Sequence, residues 1–314
     1  MKYLQNTCTD PHWNMAFDQY VLERLSVEEP LFYLWQNRPA VIIGLNQSAF
    51  AEVNLPFVES HGIKLARRVT GGGAVYHDLG NLNYSIVGPS HALENAYGLV
   101  ADALRQLGVP ARRSGRNDIL VEGRKCSGYA KRLSKNRMMI HGTLMWDVDL
   151  DALTSALAVP GSKLEAAGVA SVRSRVANLK EYLPQFDGIQ AFRNALHGIL
   201  AGADGEFSLT PEQLAEVDAL ADEKFRSWDW IIGHSPATRF ENSRKYPCGT
   251  VTAHYTLTHG VFSQLQFSGD FIGERPASEL ALRLIGQPLE ALLSEDIPSY
   301  FEGLSAADLA TLFQ

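Results

Sequence analysis

Residues 67–81 read RRVTGGGAVYHDLGN, three adjacent glycines between an arginine pair and a run that alternates like a strand. A hairpin turn explains one or two glycines, because glycine reaches positive φ at no steric cost. It explains three poorly. Three missing side chains bare a row of backbone N–H groups against which a flat or phosphorylated ligand can lie. Rossmann and Walker loops use the same donors but lead into a helix, whereas here no GK[ST] appears and AVYHDLGNLNYSIVG follows as a strand. The loop therefore joins strand to strand. Arg68 at its entrance carries the planar fork that bonds a carboxylate or phosphate bidentately. Further on, residues 112–137 hold nine Arg or Lys against Asp118 and Glu122. Of the net charge of −7, residues 248–314 contribute −6, with eight acidic and two basic side chains. A basic strip in an acidic chain suits a phosphorylated small molecule or an acidic protein surface, or is a plain solvated face. It is too narrow a footprint for duplex nucleic acid.

These residues need elements to hold them. DPHWNMAFDQYVLERL has Asp10 as N-cap, Pro11 at the first helical position and apolar residues at helical spacing, a helix to about Leu25. LFYLWQN and PAVIIGLNQ read as two strands and a turn, IKLARRV as a strand before the glycines, and ENAYGLVADALRQLG as a helix ending at Gly108. DILVEGRKCSGYAKR and RMMIHGTLMWDVDL are strands with turns at EGR and LSKN. Helical patterns dominate after Leu150: DLDALTSAL, SKLEAAG with a capping box, GIQAFRNALHGILAG and TPEQLAEVDALADEKF. SPATRFENSRKYPCG is polar and turn-rich and is expected to be a linker. TVTAHYTL and VFSQLQFSGDF around THG then form a hairpin, followed by helices at ASELALRLI and SAADLATLF. The expected architecture is α+β: a mixed β-sheet flanked by helices over residues 1–244, then a small C-terminal α+β module over 248–314.

Composition narrows the function classes. With 314 residues and 46% apolar content the chain can bury at least one large core. No apolar run approaches the roughly 20 residues that span a bilayer, and MKYLQNTCTD lacks a charged-then-apolar signal pattern, so no membrane role is expected. Cys8, Cys126 and Cys248 are odd in number and far apart, which predicts free thiols and a cytoplasmic setting. The nine histidines show no HxxxH spacing, and no CxxC occurs, so a structural zinc site is not expected.

RRVTGGGAVYHDLGNLNYS, SGRNDILVEGRKCSGYAKR, HGTLMW and GVASVRSRVANLKEYLP occur in that order, behind DPHWNMAFDQ and LFYLWQNRPAVIIGLNQ. Together they resemble the lipoate–protein ligase A family of the biotin/lipoate ligase superfamily, closely over residues 1 to about 185 and loosely to the end. The resemblance implies a class II synthetase-like ligase domain. It also implies a reaction in two steps: lipoate and ATP give lipoyl-adenylate, and a lysine of an acceptor lipoyl domain then takes the lipoyl group as an amide. By the same resemblance Arg68 and the run Gly73, Ala74, Val75 and Tyr76 contact the adenylate, Gly71 and Gly72 complete the loop, and Lys125 holds both the lipoyl carbonyl and the α-phosphate. Asn117 and Asp118, which otherwise read as an Asx turn, become contacts for ATP and, at Asp118, for Mg²⁺. Gly73, His77 and His141 join Lys125 on the lipoate side, although His77 and Asp78 read equally as hairpin-turn residues and His141 as a core histidine. SVRSRVANL reads as a surface loop or as a flap over the adenylate, and Trp35 as core rather than pocket wall. The implied acceptors are lipoyl domains of 2-oxoacid dehydrogenase complexes and the glycine cleavage H protein.

The sequence departs from the family pattern twice. Leu45 stands where many members carry a basic residue, and Cys126 replaces the usual Val or Ile after the lysine. Octanoyltransferases of the same superfamily work through a cysteine, so a cysteine-dependent octanoyl or lipoyl transferase is the rival reading. Alternation along a strand turns Cys126 away from any pocket that Lys125 enters. A biotin ligase is disfavoured by the absence of a GRGRxGR loop. A non-catalytic lipoyl-adenylate-binding protein is the remaining alternative.

Overall fold

The computed structural model describes every residue except 27, 95, 116, 158–174, 202–204 and 314, and the side chain of Tyr97. The SKLEAAG helix and the first four residues of the SVRSRVANL flap lie outside the described residues.

Strand β6 (Asn81–Pro89) is buried along nearly its whole length, as the centre of a sheet must be. It pairs antiparallel with β2 (Leu31–Trp35) on one side and β10 (Arg137–Met145) on the other. Outward from β2 lie β1 (Lys2–Leu4) and β11 (Glu206–Phe207), both parallel. Outward from β10 lie β9 (Arg124–Ser134), β8 (Asp118–Val121) and β7 (Ala111–Ser114), all antiparallel. The expected mixed sheet thus has eight strands.

Alternation along β6 and β10 sorts the two faces. Leu82, Tyr84 and Ile86 with Ile140 and Leu144 enter an apolar core under the helices Leu99–Gln106 and Ile189–Leu200. The opposite positions are polar yet buried: Asn83, Ser85 and His141 are each less than one-tenth exposed. Over that face lies the N-terminal helix, Pro11–Glu23, capped by Asp10, whose carboxylate accepts from the His12 and Trp13 amides. It packs Met15, Phe17, Tyr20 and Val21 against Tyr33, Trp35, Val87 and Met139.

A second sheet was not foreseen. β3 (Ala40–Ile43) pairs with β4 (Lys64–Arg67) in parallel and with β5 (Val75–His77) antiparallel. β2 and β3, expected as neighbours across a turn, therefore belong to different sheets. The glycine loop does join strand to strand, crossing from β4 to β5 over the end of β3.

The C-terminal module is an antiparallel sheet of β12 (Thr238–Tyr246), β13 (Gly249–Thr258) and β14 (Val261–Gly269), with helices Ala277–Leu284 and Ala306–Ala310 closing its core. β12 occupies the segment expected as a linker, so the module's first strand precedes the expected boundary at 248. The inward positions of β12 include Asn242, which donates to Tyr255 Oη and Leu312 O, so apolar alternation is absent where the strand forms. Phe50 packs on the module's core and His259 Nδ1 lies 2.9 Å from Gly233 O, tying the module to the rest. Among the described residues no helix is long and apolar enough to cross a membrane.

Candidate active site

The glycine loop is shaped from beneath by Arg68, which is 7% exposed. Its Nη2 donates to Gly71 O and Gly73 O, both at 2.8 Å, its Nη1 to Ile42 O, and its Nε to Thr70 Oγ1. This corrects the expectation of a fork free for a substrate anion: the fork is committed to loop carbonyls, and its charge reaches the pocket through a loop it holds rigid. Burial lowers its pKa only to about 10, so it stays cationic. Arg67 is excluded from ligand binding outright. Fully buried, it donates to the carbonyls of Gly44, Leu45, Gln47, Trp230 and Ile231 and to Ser235 Oγ, fastening the loop to the chain before the C-terminal module.

Two buried hydrogen-bond chains descend from the N-terminal helix. Asn14 and Asp18, four residues apart, each anchor one histidine. Asp18 accepts from Tyr33 Oη and Ser85 Oγ and lies 2.6 Å from His141 Nδ1. His141 Nε2 lies 2.7 Å from Thr70 Oγ1, which receives the Arg68 Nε–H. Proton direction is consistent throughout: Arg68 to Thr70, Thr70 to His141, His141 to Asp18. The other chain starts at Asn14 Nδ2, which faces the carbonyls of Cys8 and Gln36 and therefore must be the donor end. It also donates to Asn37 Oδ1, which leaves Asn37 Nδ2 to donate to His77 Nδ1 at 3.0 Å. His77 is thus neutral with its proton on Nε2. Burial first, then the positive charge of nearby Arg68, pushes its pKa down to about 3.

Lys125 stands at the edge of β9, its Nζ 2.8 Å from Asp118 Oδ1. A β-bulge between Ile119 and Leu120 sets this register, with Leu120 opposite Lys125 and Ile119 opposite Ser127. Cys126 is the extra residue. It is fully buried in the core on the other face, its Sγ 3.4 Å from Ile119 O, and burial pushes its pKa up to about 12. Lys125 also exchanges backbone hydrogen bonds with the described part of the flap, its N donating to Arg175 O and its O accepting from Ala177 N.

Between these parts lies a cleft of about 600 Å³, open mouth included. Arg68, Gly72, Gly73, Ala74, Val75, His77, Asn117, Lys125 and His141 line it, so the structure gathers most of the residues expected from the sequence. Trp35 lines it too, correcting its reading as core alone. The Tyr76 side chain instead points into the core beside Val41 and Met145. Asp118 lines an adjoining groove with Arg113 and Lys131. Asp78 caps turns, accepting from the Gly80 and Asp149 amides. No described group of three His, Cys, Asp or Glu could hold a metal ion.

Sequence reasoning missed Asn14, Asp18, Thr70 and Asn83. The signal existed for the first two: polar residues at i and i+4 on the apolar side of an amphipathic helix face the core. For Asn83 it lay in the alternation of NLNYS, polar where a central strand should be apolar on both faces.

A mixed sheet with a glycine loop facing a strand lysine across a largely apolar cleft is the arrangement expected of a biotin/lipoate-type protein ligase. Residues 10–200 match the lipoyl protein ligase A/B catalytic domain and residues 235–313 the bacterial lipoate protein ligase C-terminus; the chain belongs to the lipoyl protein ligase A/B family. It is 37% identical to lipoate-protein ligase LplJ of Bacillus subtilis, with 99% of each chain covered. Among solved structures it is similar to a bipartite lipoate protein ligase of Thermoplasma acidophilum, studied with its E2 lipoyl domain (TM-score 0.67, 31% identity, covering 74% of this chain and 96% of that one). It is also similar to a lipoate-protein ligase A bound with ATP (TM-score 0.64, 29% identity, covering 74% and 98%).

Proposed function

We propose that this chain is an ATP-dependent lipoate–protein ligase. Lys125 and the backbone of Gly72–Val75 line one cleft, and that observation carries the reading. Attack of a carboxylate on the α-phosphorus brings two anions together, so the site must supply fixed positive charge and preorganised donors. The lipoate carboxylate attacks, pyrophosphate leaves, and lipoyl-adenylate lies along the loop. The bare positions suit this: a Cβ at Gly71 or Gly73 would meet no atom within 4 Å, so the space over the loop is open. Lys125, held near the mouth by Asp118, then bridges the acyl carbonyl and the α-phosphate. In the second step the acceptor lysine amine attacks the acyl carbon and AMP departs.

Mg²⁺ would arrive on the nucleotide, supplying charge neutralisation at the phosphates. Asp118 offers a single carboxylate, which fits an ion held mainly by phosphate and water. Acceptors are lipoyl domains, among them those of 2-oxoacid dehydrogenase complexes and the glycine cleavage H protein, and the setting is cytoplasmic. The family resemblance supports the acceptors, and three free cysteines support the setting.

The test is lipoate-dependent ATP–pyrophosphate exchange with variants at the two neighbouring positions. Lys125→Ala should lower exchange about 10²–10³-fold, the usual effect of removing one charge-stabilising group from such a site. Lys125→Arg should rescue poorly, since a wide planar fork does not replace a compact point charge. Cys126→Ser should stay within a few-fold. An acyl thioester on Cys126 together with no exchange by the unsubstituted protein would replace the ligase reading with the transferase, whereas near-full exchange in Lys125→Ala would remove Lys125 from the role given to it.

A further inference from the structure

Two donors in the cleft face no acceptor among the described residues. His77 Nε2 and Asn83 Nδ2 are both buried and both without a hydrogen-bond partner, on side chains 3% and 1% exposed. Both residues line the cleft. Neighbouring polar groups are committed elsewhere: Trp35 Nε1 donates to Ser85 Oγ, Ser85 to Asp18, and His141 lies between Asp18 and Thr70. A buried N–H without an acceptor is destabilising, and a native fold retains one where a ligand completes it.

Register fixes where along the cleft these donors lie. Asn83 stands directly opposite Thr143 across β6 and β10. Thr143 Oγ1 accepts from Gly128 N, and a Cβ on Gly128 would sit 3.0 Å from Lys125 Nζ. Asn83 therefore lies two strands across from the reactive end, with β10 between. The next pair on the same face, Ser85 and His141, lies about 7 Å deeper. His77 reaches the same region past Trp35, whose ring centroid is 6.1 Å from its own, and Trp35 is the cross-strand neighbour of Asn83. The remaining walls, among them Met15, Ile42 and Val75, are apolar and suit an aliphatic chain.

We infer that Asn83 and His77 form a donor pair that grips the carboxylate of the acyl substrate and holds it facing Lys125. The inference rests on the ligase reading above. A carboxylate is the strong acceptor that such a pair matches, whereas the sulfurs of a dithiolane are weak acceptors. The pair is thus a device for the acid group common to lipoate and octanoate, indifferent to the tail.

Calorimetric binding without turnover tests it, with lipoate, octanoate and ATP titrated separately. Asn83→Ala should raise the Kd of both acids about ten- to a hundredfold, the effect of losing one hydrogen bond to a charged group. Asn83→Asp should raise it further by setting carboxylate against carboxylate. The ATP Kd should stay within twofold in both variants, which also shows that they are folded. His77→Gln keeps an N–H and should retain acid binding that His77→Phe loses. Weakening of lipoate but not octanoate would place the donors at the dithiolane and overturn the inference, as would equal weakening of ATP or no change at all. Failure of the unsubstituted protein to bind either acid would instead overturn the ligase reading, and the pair with it.

Discussion

His77 shows how one side chain's protonation is decided far from itself. The Cys8 and Gln36 carbonyls orient Asn14, Asn14 orients Asn37, and Asn37 fixes the imidazole as an Nδ1 acceptor. A second proton would have to sit on Nδ1 against an amide N–H, in a buried site already near Arg68. The consequence for stability has a definite sign. Unfolded, His77 takes up a proton near its ordinary pKa of 6.5; folded, only near 3. Between those values the unfolded state binds more protons, so stability is full above about pH 6.5 and falls as pH drops towards 3. Urea unfolding at a series of pH values should show this, with His77→Gln losing up to about 1.4 kcal/mol per pH unit of the slope. Parallel pH profiles for the two proteins would mean that His77 does not carry the effect.

The glycine loop depends on which backbone approaches which. A Cβ on Gly44 would lie 2.1 Å from Gly72 O, a contact that only movement of the loop could relieve, while a Cβ on Gly73 meets open space. Gly44→Ala should therefore destabilise the fold by about 1–3 kcal/mol, as overpacking does, and blunt nucleotide binding with it. Gly73→Ala should leave the unfolding midpoint unchanged and still impair adenylation, because it fills the space the ligand needs. Equal midpoint losses in both would refute this division of roles. At this scale the sequence was a good guide to the strand-to-strand loop, the capped N-terminal helix and the hairpins, since each is a local pattern. It was a poor guide to β12, where Asn242 faces inward and the alternation is lost. It also gave no sign of what holds either arginine. Arg67 is occupied by Ile231 O, 164 residues away, and no neighbouring residue type signals such a contact.

Over the whole molecule, the basic strip thins once its partners are known. Arg132 donates to Val69 O, Arg137 to Val21 O and Leu25 O, Arg124 meets Glu181 and Tyr182, and Lys125 meets Asp118. Arg112, Lys131 and Lys135 remain exposed with no charged partner among the described residues. Lys131 borders the groove that adjoins the cleft, so an acceptor reaching Lys125 passes it. From β12 onward the C-terminal module carries nine acidic and five basic side chains, a net −4, which works against an acidic acceptor there and favours approach from the basic side. Complementary charge acts mainly on the association rate and is screened by salt. Transfer from preformed lipoyl-adenylate to an acidic lipoyl domain should therefore slow only several-fold between about 0.01 and 0.5 M salt, the response of a few charges rather than nine. Reversing Lys131 and Lys135 to Glu should slow transfer by a similar factor at low salt, abolish its salt dependence, and leave pyrophosphate exchange untouched. Salt-independent transfer by the unsubstituted protein, or exchange falling in step with transfer in the reversed variant, would rule out docking through this strip.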